Sequence, residues 1–171
     1  IHIPDGVTEL GNRAFKNCTG LTDVVIPNGV TGIGEEAFCG CTGLTSVVIP
    51  GGVGEIKRFT FSECTGLTNV VIPYSVISIK KGTFRDCTGL VDIIIPDSVT
   101  FNGTTYKVIS IGFSAFHGCI GLTSLTIPES ITSIDYRAFY QCTGLTSLTI
   151  PESVTSIGER AFENCTGLIS I

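Results

Sequence analysis

Apolar residues recur along this chain in one fixed order. A triplet spaced as LxxLxL, such as Leu44, Val47 and Ile49, is followed at once by a proline, Pro50. Two aliphatics three residues apart come next, Val53 and Ile56, then Phe61, Cys64 and Gly66. Val47 and Ile49 alternate with Ser46 and Val48, the period of two that marks a strand with one buried face. Pro50 ends the strand, because proline has no N–H for the ladder. Phe15, Phe38, Phe61, Phe84, Phe116, Phe139 and Phe162 each follow a polar pair, which predicts a single 3₁₀ or α turn that buries the ring. Glycine closes every copy at Gly20, Gly43, Gly66, Gly89, Gly121, Gly144 and Gly167, which predicts a positive φ or a close backbone approach.

The order returns at a fixed interval. Pro4, Pro27, Pro50, Pro73, Pro96, Pro128 and Pro151 are 23 residues apart, except for one interval of 32. Such a period predicts a stacked solenoid of seven units filling residues 1–171 as a single domain. No unit folds alone, since each has one Phe, a few aliphatics and two bare flat faces. Stacking joins these into continuous columns. Natural solenoids end in atypical capping units, and neither end of this chain has one. The chain therefore reads as a piece of a longer protein. Its uncapped ends, residues 1–3 and 168–171, predict head-to-tail self-association.

Composition narrows the function. The net charge is −5 and 15% of residues are charged, so no basic balance favours nucleic acid. No apolar stretch approaches the roughly 18 residues of a membrane helix, so this segment is not expected to insert into a membrane. The two histidines, His2 and His117, occupy different repeat positions without a triad context. The glycines fall at repeat positions and form no phosphate loop. We therefore expect no enzyme activity, no cofactor and no metal.

Seven of the eight cysteines share one repeat position: Cys18, Cys41, Cys64, Cys87, Cys119, Cys142 and Cys165. Coils about 4.8 Å apart would place these thiols in a ladder with parallel side chains. A disulfide needs converging Cβ atoms, and a metal site needs ligands that meet at a point. The expectation is a column of small buried hydrophobes. Cys39 stands off the ladder and is expected nearer the surface.

The strand motif LTSLTIP, followed by SVTSIGERAF and the cysteine ladder, resembles the BspA-type, or Treponema pallidum-type, leucine-rich repeats over the whole chain. The resemblance implies a leucine-rich-repeat solenoid, a right-handed curved superhelix with its parallel β-sheet on the concave face and the short turns on the convex one. It also implies a secreted or cell-surface parent protein, adhesion to host or microbial surface proteins, and no shared catalytic residues.

The long interval carries nine extra residues, 101–109. Asn102-Gly103 among β-branched and aromatic residues signals a β-hairpin, since a type I′ turn needs φ > 0 at both positions. Pairing Phe101 with Thr104 puts Val99 opposite Tyr106. Phe113 and Tyr136 occupy a repeat position held elsewhere by Asn12, Glu35, Arg58, Lys81 and Glu159. We expect the hairpin to pack on these two rings.

Two surfaces are candidate sites. On the concave face, Val25, Val48, Val71, Ile94, Thr126 and Thr149 point outward beside Asp23, Ser46, Asn69, Asp92, Ser124 and Ser147. Contiguous exposed aliphatics mark partner sites, although β-branched residues also favour strands for their own sake. The hydroxyl half suits peptides or glycans. Lys57 over Lys80 and Arg58 over Lys81 form a second patch, which an anion would relieve unless nearby acids already do. The reading is a non-catalytic protein-binding module with its ligand on the concave face. The alternatives are a structural spacer and a glycan-binding module appended to an enzyme.

Overall fold

The computed structural model describes residues 1–101 and 103–171, the side chains of 99–101 excepted. It is a solenoid of short parallel strands joined by turns, and the described residues contain no helix. One run of two-residue strands comprises β1 (Glu9–Leu10), β2 (Gly32–Ile33), β5 (Ser78–Ile79), β9 (Ser110–Ile111), β11 (Ser133–Ile134) and β13 (Ser156–Ile157). Single bridges through Ile56 join β2 to β5. This run crosses the nine extra residues without a break, because Ser78 pairs with Ser110 and Ile79 with Ile111.

The second run contains the predicted LxxLxL strands. β3 (Ser46–Val48), β4 (Asn69–Val71) and β6 (Asp92–Ile94) form one parallel sheet in register. β10 (Ser124–Thr126) and β12 (Ser147–Thr149) form another. Each of these strands buries its middle residue and exposes the two beside it. β6 and β10 do not pair. The antiparallel hairpin of β7 (Val99–Phe101) and β8 (Thr104–Tyr106) lies between them in sequence, with Val99 opposite Tyr106 as the turn signal predicts.

The expected 3₁₀ or α turn before each cysteine is neither. Its amides alternate between two partners. Glu36, Phe38 and Gly40 donate forward to the carbonyls of Arg58, Thr60 and Ser62 in the next coil, at 2.8–3.1 Å. Ala37, Cys39 and Cys41 donate back three residues within their own coil. A helix aims all its amides along its own axis and would leave the next coil unbonded. Sharing alternate amides is accompanied by left-handed backbone at two positions in each coil, for example Arg13 and Asn17 (φ 61° and 60°) or Gly82 and Asp86 (φ 60° and 57°). For non-glycine residues this conformation costs roughly 1–2 kcal/mol apiece.

The recurrent glycines have a different role, the close approach anticipated as the second alternative. None of them has a positive φ. A Cβ on Gly43, Gly66 or Gly89 would sit 2.4–2.5 Å from the carbonyl oxygen of Thr19, Thr42 or Thr65 in the preceding coil. The coils stack too closely there for any side chain.

Inside the stack, the phenylalanines form one column. Rings from Phe15 to Phe162 lie 5.2–5.7 Å apart, centroid to centroid, with planes within 9° of parallel. Phe38, Phe61, Phe84, Phe116 and Phe139 are fully buried. Each contributes roughly 2–3 kcal/mol by transfer from water. Phe61→Ala should destabilise the protein by about 3–5 kcal/mol, read as a lower urea midpoint.

The glycine column gives a sharper test. Gly89→Ala should cost roughly 1–3 kcal/mol or more, because the added methyl meets a carbonyl that cannot yield. Gly20→Ala has nothing within 4 Å of the new atom and should stay within about 0.5 kcal/mol of the parent. Equal midpoints for the two variants would show that the coils separate more easily than this packing implies.

Candidate functional site

The outward strand positions make up the main candidate surface. Val25, Val48, Val71 and Ile94 are 50, 77, 49 and 51% exposed; the last three pair side by side across β3, β4 and β6, and Val25 holds the same repeat position one coil earlier. Thr126 and Thr149 continue the row beyond the break, and Asp23, Ser46, Asn69, Asp92, Ser124 and Ser147 flank it, all exposed. The stripe contributes nothing to the core, since the alternate residues Val24, Val47, Val70 and Ile93 are buried instead.

Over β10 and β12, with Ile95 and Asp97 also lining it, the surface opens into a hollow of about 720 Å³. Asp97 and Glu129 stand in it with the hydroxyls of Ser124, Thr126, Ser147 and Thr149. A second hollow of about 500 Å³ lies at the hairpin, floored by Gly51, Gly52 and Gly54 and lined by Pro73, Tyr74 and Tyr106. Sequence reasoning missed both hollows.

The expected packing of the hairpin on Phe113 and Tyr136 involves side chains outside the described residues. Those rings stack on each other at 5.0 Å. Lys81 Nζ lies 4.5 Å over the Phe113 ring and the Arg137 guanidinium 4.9 Å over Tyr136. The change from polar to aromatic in that column is thus satisfied by ring stacking with a cation on each ring. Tyr106 faces the coils before it, and Val108 is buried in the core. The side chains of Val99 and Phe101, and all of Asn102, lie outside the described residues.

The basic patch is largely paired. Arg58 donates to both carboxylate oxygens of Glu35 at 3.1 Å, and Lys80 lies 3.7 Å from Glu55. Lys81 sits on Phe113. Lys57 has no ion-pair partner among the described residues. Within the same belt, Arg13 and Lys16 both donate to Glu36 and hold its carboxyl down at about 2. The His117 imidazole, tilted against Tyr140 at 4.9 Å, is lowered by burial and by Arg85.

The cysteine ladder is a row of hydrogen-bond donors as well as hydrophobes. Each thiol from Cys41 to Cys165 lies 3.0–3.1 Å from the carbonyl oxygen of the phenylalanine one coil back, beginning with Phe15. That carbonyl already accepts the amide of its own coil's cysteine, as Phe15 does from Cys18. Burial raises Cys41 to about 11 and Cys87 to about 12, and pushes Cys64 and Cys119 further. Cys39 is not at the surface. It is buried beside Lys16, Phe59 and Ser62, and burial raises it too. Among the described residues, no three His, Cys, Asp or Glu side chains cluster to hold a metal ion.

These shifts set the response to base. A thiol whose folded pKa lies above its unfolded value of 9.0 stabilises the fold fully below pH 9 and less as pH rises towards the folded value. Between about pH 9 and 11 each such thiol should remove roughly 1.4 kcal/mol per pH unit. Native protein at pH 8 should therefore resist iodoacetamide at Cys41, Cys64, Cys87 and Cys119. It should unfold cooperatively on alkaline titration, and a Cys64→Ala/Cys87→Ala variant should unfold at higher pH than the parent.

Removing residues 101–109 restores the 23-residue interval. The deletion should keep the fold and let β6 pair with β10. Amide exchange at Ser124–Thr126 would report it as slower exchange than in the parent. Unchanged exchange would mean that something other than the insertion holds the strands apart.

The chain is similar to known repeat proteins. A family model described as the BspA-type leucine-rich repeat region matches residues 1–106 and 101–171. The crystal structure of a T. pallidum leucine-rich repeat protein is 32% identical, with a TM-score of 0.87 over 98% of this chain and 77% of that one. A leucine-rich cell surface protein from Faecalibacterium prausnitzii is 30% identical, with a TM-score of 0.68 over 99% of this chain and 58% of that one. A leucine-rich repeat protein from Bacteroides ovatus, 24% identical at a TM-score of 0.75 over 98% of this chain, shares the fold. The chain spans only 47% of that protein's length. No curated protein matches. By its sequence match along both halves and its likeness to the T. pallidum structure, the chain belongs to the BspA-type leucine-rich repeat family.

Proposed function

We propose that the chain is a non-catalytic binding module that engages a protein ligand through the face bearing β3, β4, β6, β10 and β12. The observation that carries this reading is the aliphatic stripe Val25, Val48, Val71 and Ile94. It is exposed, in register and unused by the core. Stacking alone has no need of it, because Thr126 and Thr149 occupy the same position in β10 and β12. Contiguous apolar surface of this kind suits association.

The whole strand face enters the proposal: Asp23, Ser46, Asn69, Asp92, Ser124 and Ser147 beside the stripe, with Thr126 and Thr149 at its end. This is the face that the leucine-rich-repeat resemblance implies to be concave. The likeness to a protein described as a cell surface protein supports a surface or secreted setting and an adhesive role. The patch of Lys57, Arg58, Lys80 and Lys81 is the weaker candidate, since Arg58 and Lys80 already have acidic partners within the chain.

Changing Val25, Val48, Val71 and Ile94 together to Thr should leave the melting temperature within about 3 °C and abolish ligand binding through this face. Thermal denaturation and surface crosslinking of bound protein check the two halves of the claim. A collapse in melting temperature would mean that the stripe is structural.

A further inference from the structure

Charge is segregated around the solenoid. Nine of the ten lysines and arginines fall in the turns before the cysteines, and the tenth, Lys107, is in the insertion. The segments from the start of each LxxLxL strand to the corner after its proline hold no Lys or Arg. They hold six acids: Asp5, Asp23, Asp92, Asp97, Glu129 and Glu152, all exposed. None of these six is in an ion pair among the described residues, whereas Glu35, Glu36, Glu55, Asp86, Glu159 and Glu163 all are.

Three of the unpaired acids share one repeat position. Asp97, Glu129 and Glu152 each follow the proline of successive coils, at one repeat position. Like charges in register on neighbouring strands repel. Asp97 and Glu129 also line the larger hollow, which opens at the end of the aliphatic stripe. An apolar strip therefore leads directly into a site of uncompensated negative charge.

We propose that the strand face takes a cationic segment of a partner protein, with apolar side chains on Val25, Val48, Val71 and Ile94 and Lys or Arg side chains in the hollow against Asp97 and Glu129. The inference rests on the strand face being the binding surface and adds the chemistry of its partner. Four strands about 4.8 Å apart give a stripe about 14 Å long. An extended partner at about 3.3 Å per residue would cover it with four or five residues, and its basic residues would follow. Opposite charge steers such a partner and excludes acidic ones.

The test is fluorescence anisotropy with a labelled synthetic peptide of about ten residues. Its first half alternates Ile and Thr and its second half alternates Lys and Gly; a second version carries Glu for Lys. The lysine peptide should bind at least about tenfold more tightly than the glutamate peptide and weaken several-fold between about 50 and about 300 mM salt. Asp97→Asn, Glu129→Gln and Glu152→Gln together should weaken it about fivefold or more. A control with Glu9→Gln and Glu63→Gln, away from the face, should change it less than about twofold.

Equal affinity for the two peptides, no measurable binding of the lysine peptide, or equal loss in both sets of variants would overturn the inference. The Val25, Val48, Val71 and Ile94 to Thr variant separates the two levels of the claim. If it weakens both peptides alike while the acid variants do nothing, the face binds without charge selectivity. If it binds both peptides as the parent does, the strand face itself is not the binding surface.

Discussion

Every coil of this protein is held by backbone hydrogen bonds to its neighbour, and the register of those bonds constrains everything else. In the turns, an amide reaches the carbonyl 22 residues ahead, as Phe38 does to Thr60. In the strands, identical repeat positions pair. A single coil has no partner for these groups, and unpaired buried amides are costly. Fixing the register places like residues over like. The phenylalanines then stack, the thiols reach the carbonyls of the coil before, and glycine is required where one backbone presses on the next.

The insertion shows which bonds are indispensable. Phe84 still donates to its repeat equivalent at Ala115, and β5 still pairs with β9. The nine extra residues are thus absorbed at the corner after Pro96, where they form a hairpin. The cost appears on the neighbouring sheet, where β6 and β10 do not pair, although the Thr123 amide still donates to the Val91 carbonyl at 3.3 Å. A fold built by repetition has little shape of its own on that face, so this break supplies relief that uniform coils lack. The hollow with Asp97 and Glu129 lies next to this break, over β10 and β12.

Much of this was legible in the sequence, because each column holds one residue type. The outward position of Val48 followed from its alternation with Val47 and Ile49. The hairpin register followed from Asn102-Gly103. The turns were less legible for a physical reason. Their left-handed columns mix Asn17, Asp86, Asn164 and Gly40 with Glu63 and Gln141 at one position, and Gly82 with Arg13, Phe59 and Arg137 at the other. Bonding between coils overrides intrinsic preference there, so local sequence does not announce it. Cys39 was misplaced because its equivalents, Lys16, Arg85 and Glu163, are polar. Its own cover comes from Phe59 and Ser62 one coil on. The column break marked Phe113 and Tyr136, whose rings stack on each other with a cation over each.

The two sides of the solenoid meet different electrostatic conditions. On the turn side, several charges meet opposite charges in the adjacent coil, as Glu35 with Arg58 and Glu36 with Arg13 show. Exposed pairs of this kind add little stability individually, but each offsets charge at its own position. On the strand side no such pairing exists among the described residues. Burial of Val47, Val70 and Ile93 and the backbone ladder already hold the strands together, so charge there is not needed for stacking. A carboxylate repeated at one position after Pro96, Pro128 and Pro151 works mildly against the stack. Lysine at one of the three would have relieved it, as arginine does for Glu35 on the other side. The unrelieved charge beside an exposed aliphatic stripe is accounted for most simply by something outside the chain that carries the opposite sign.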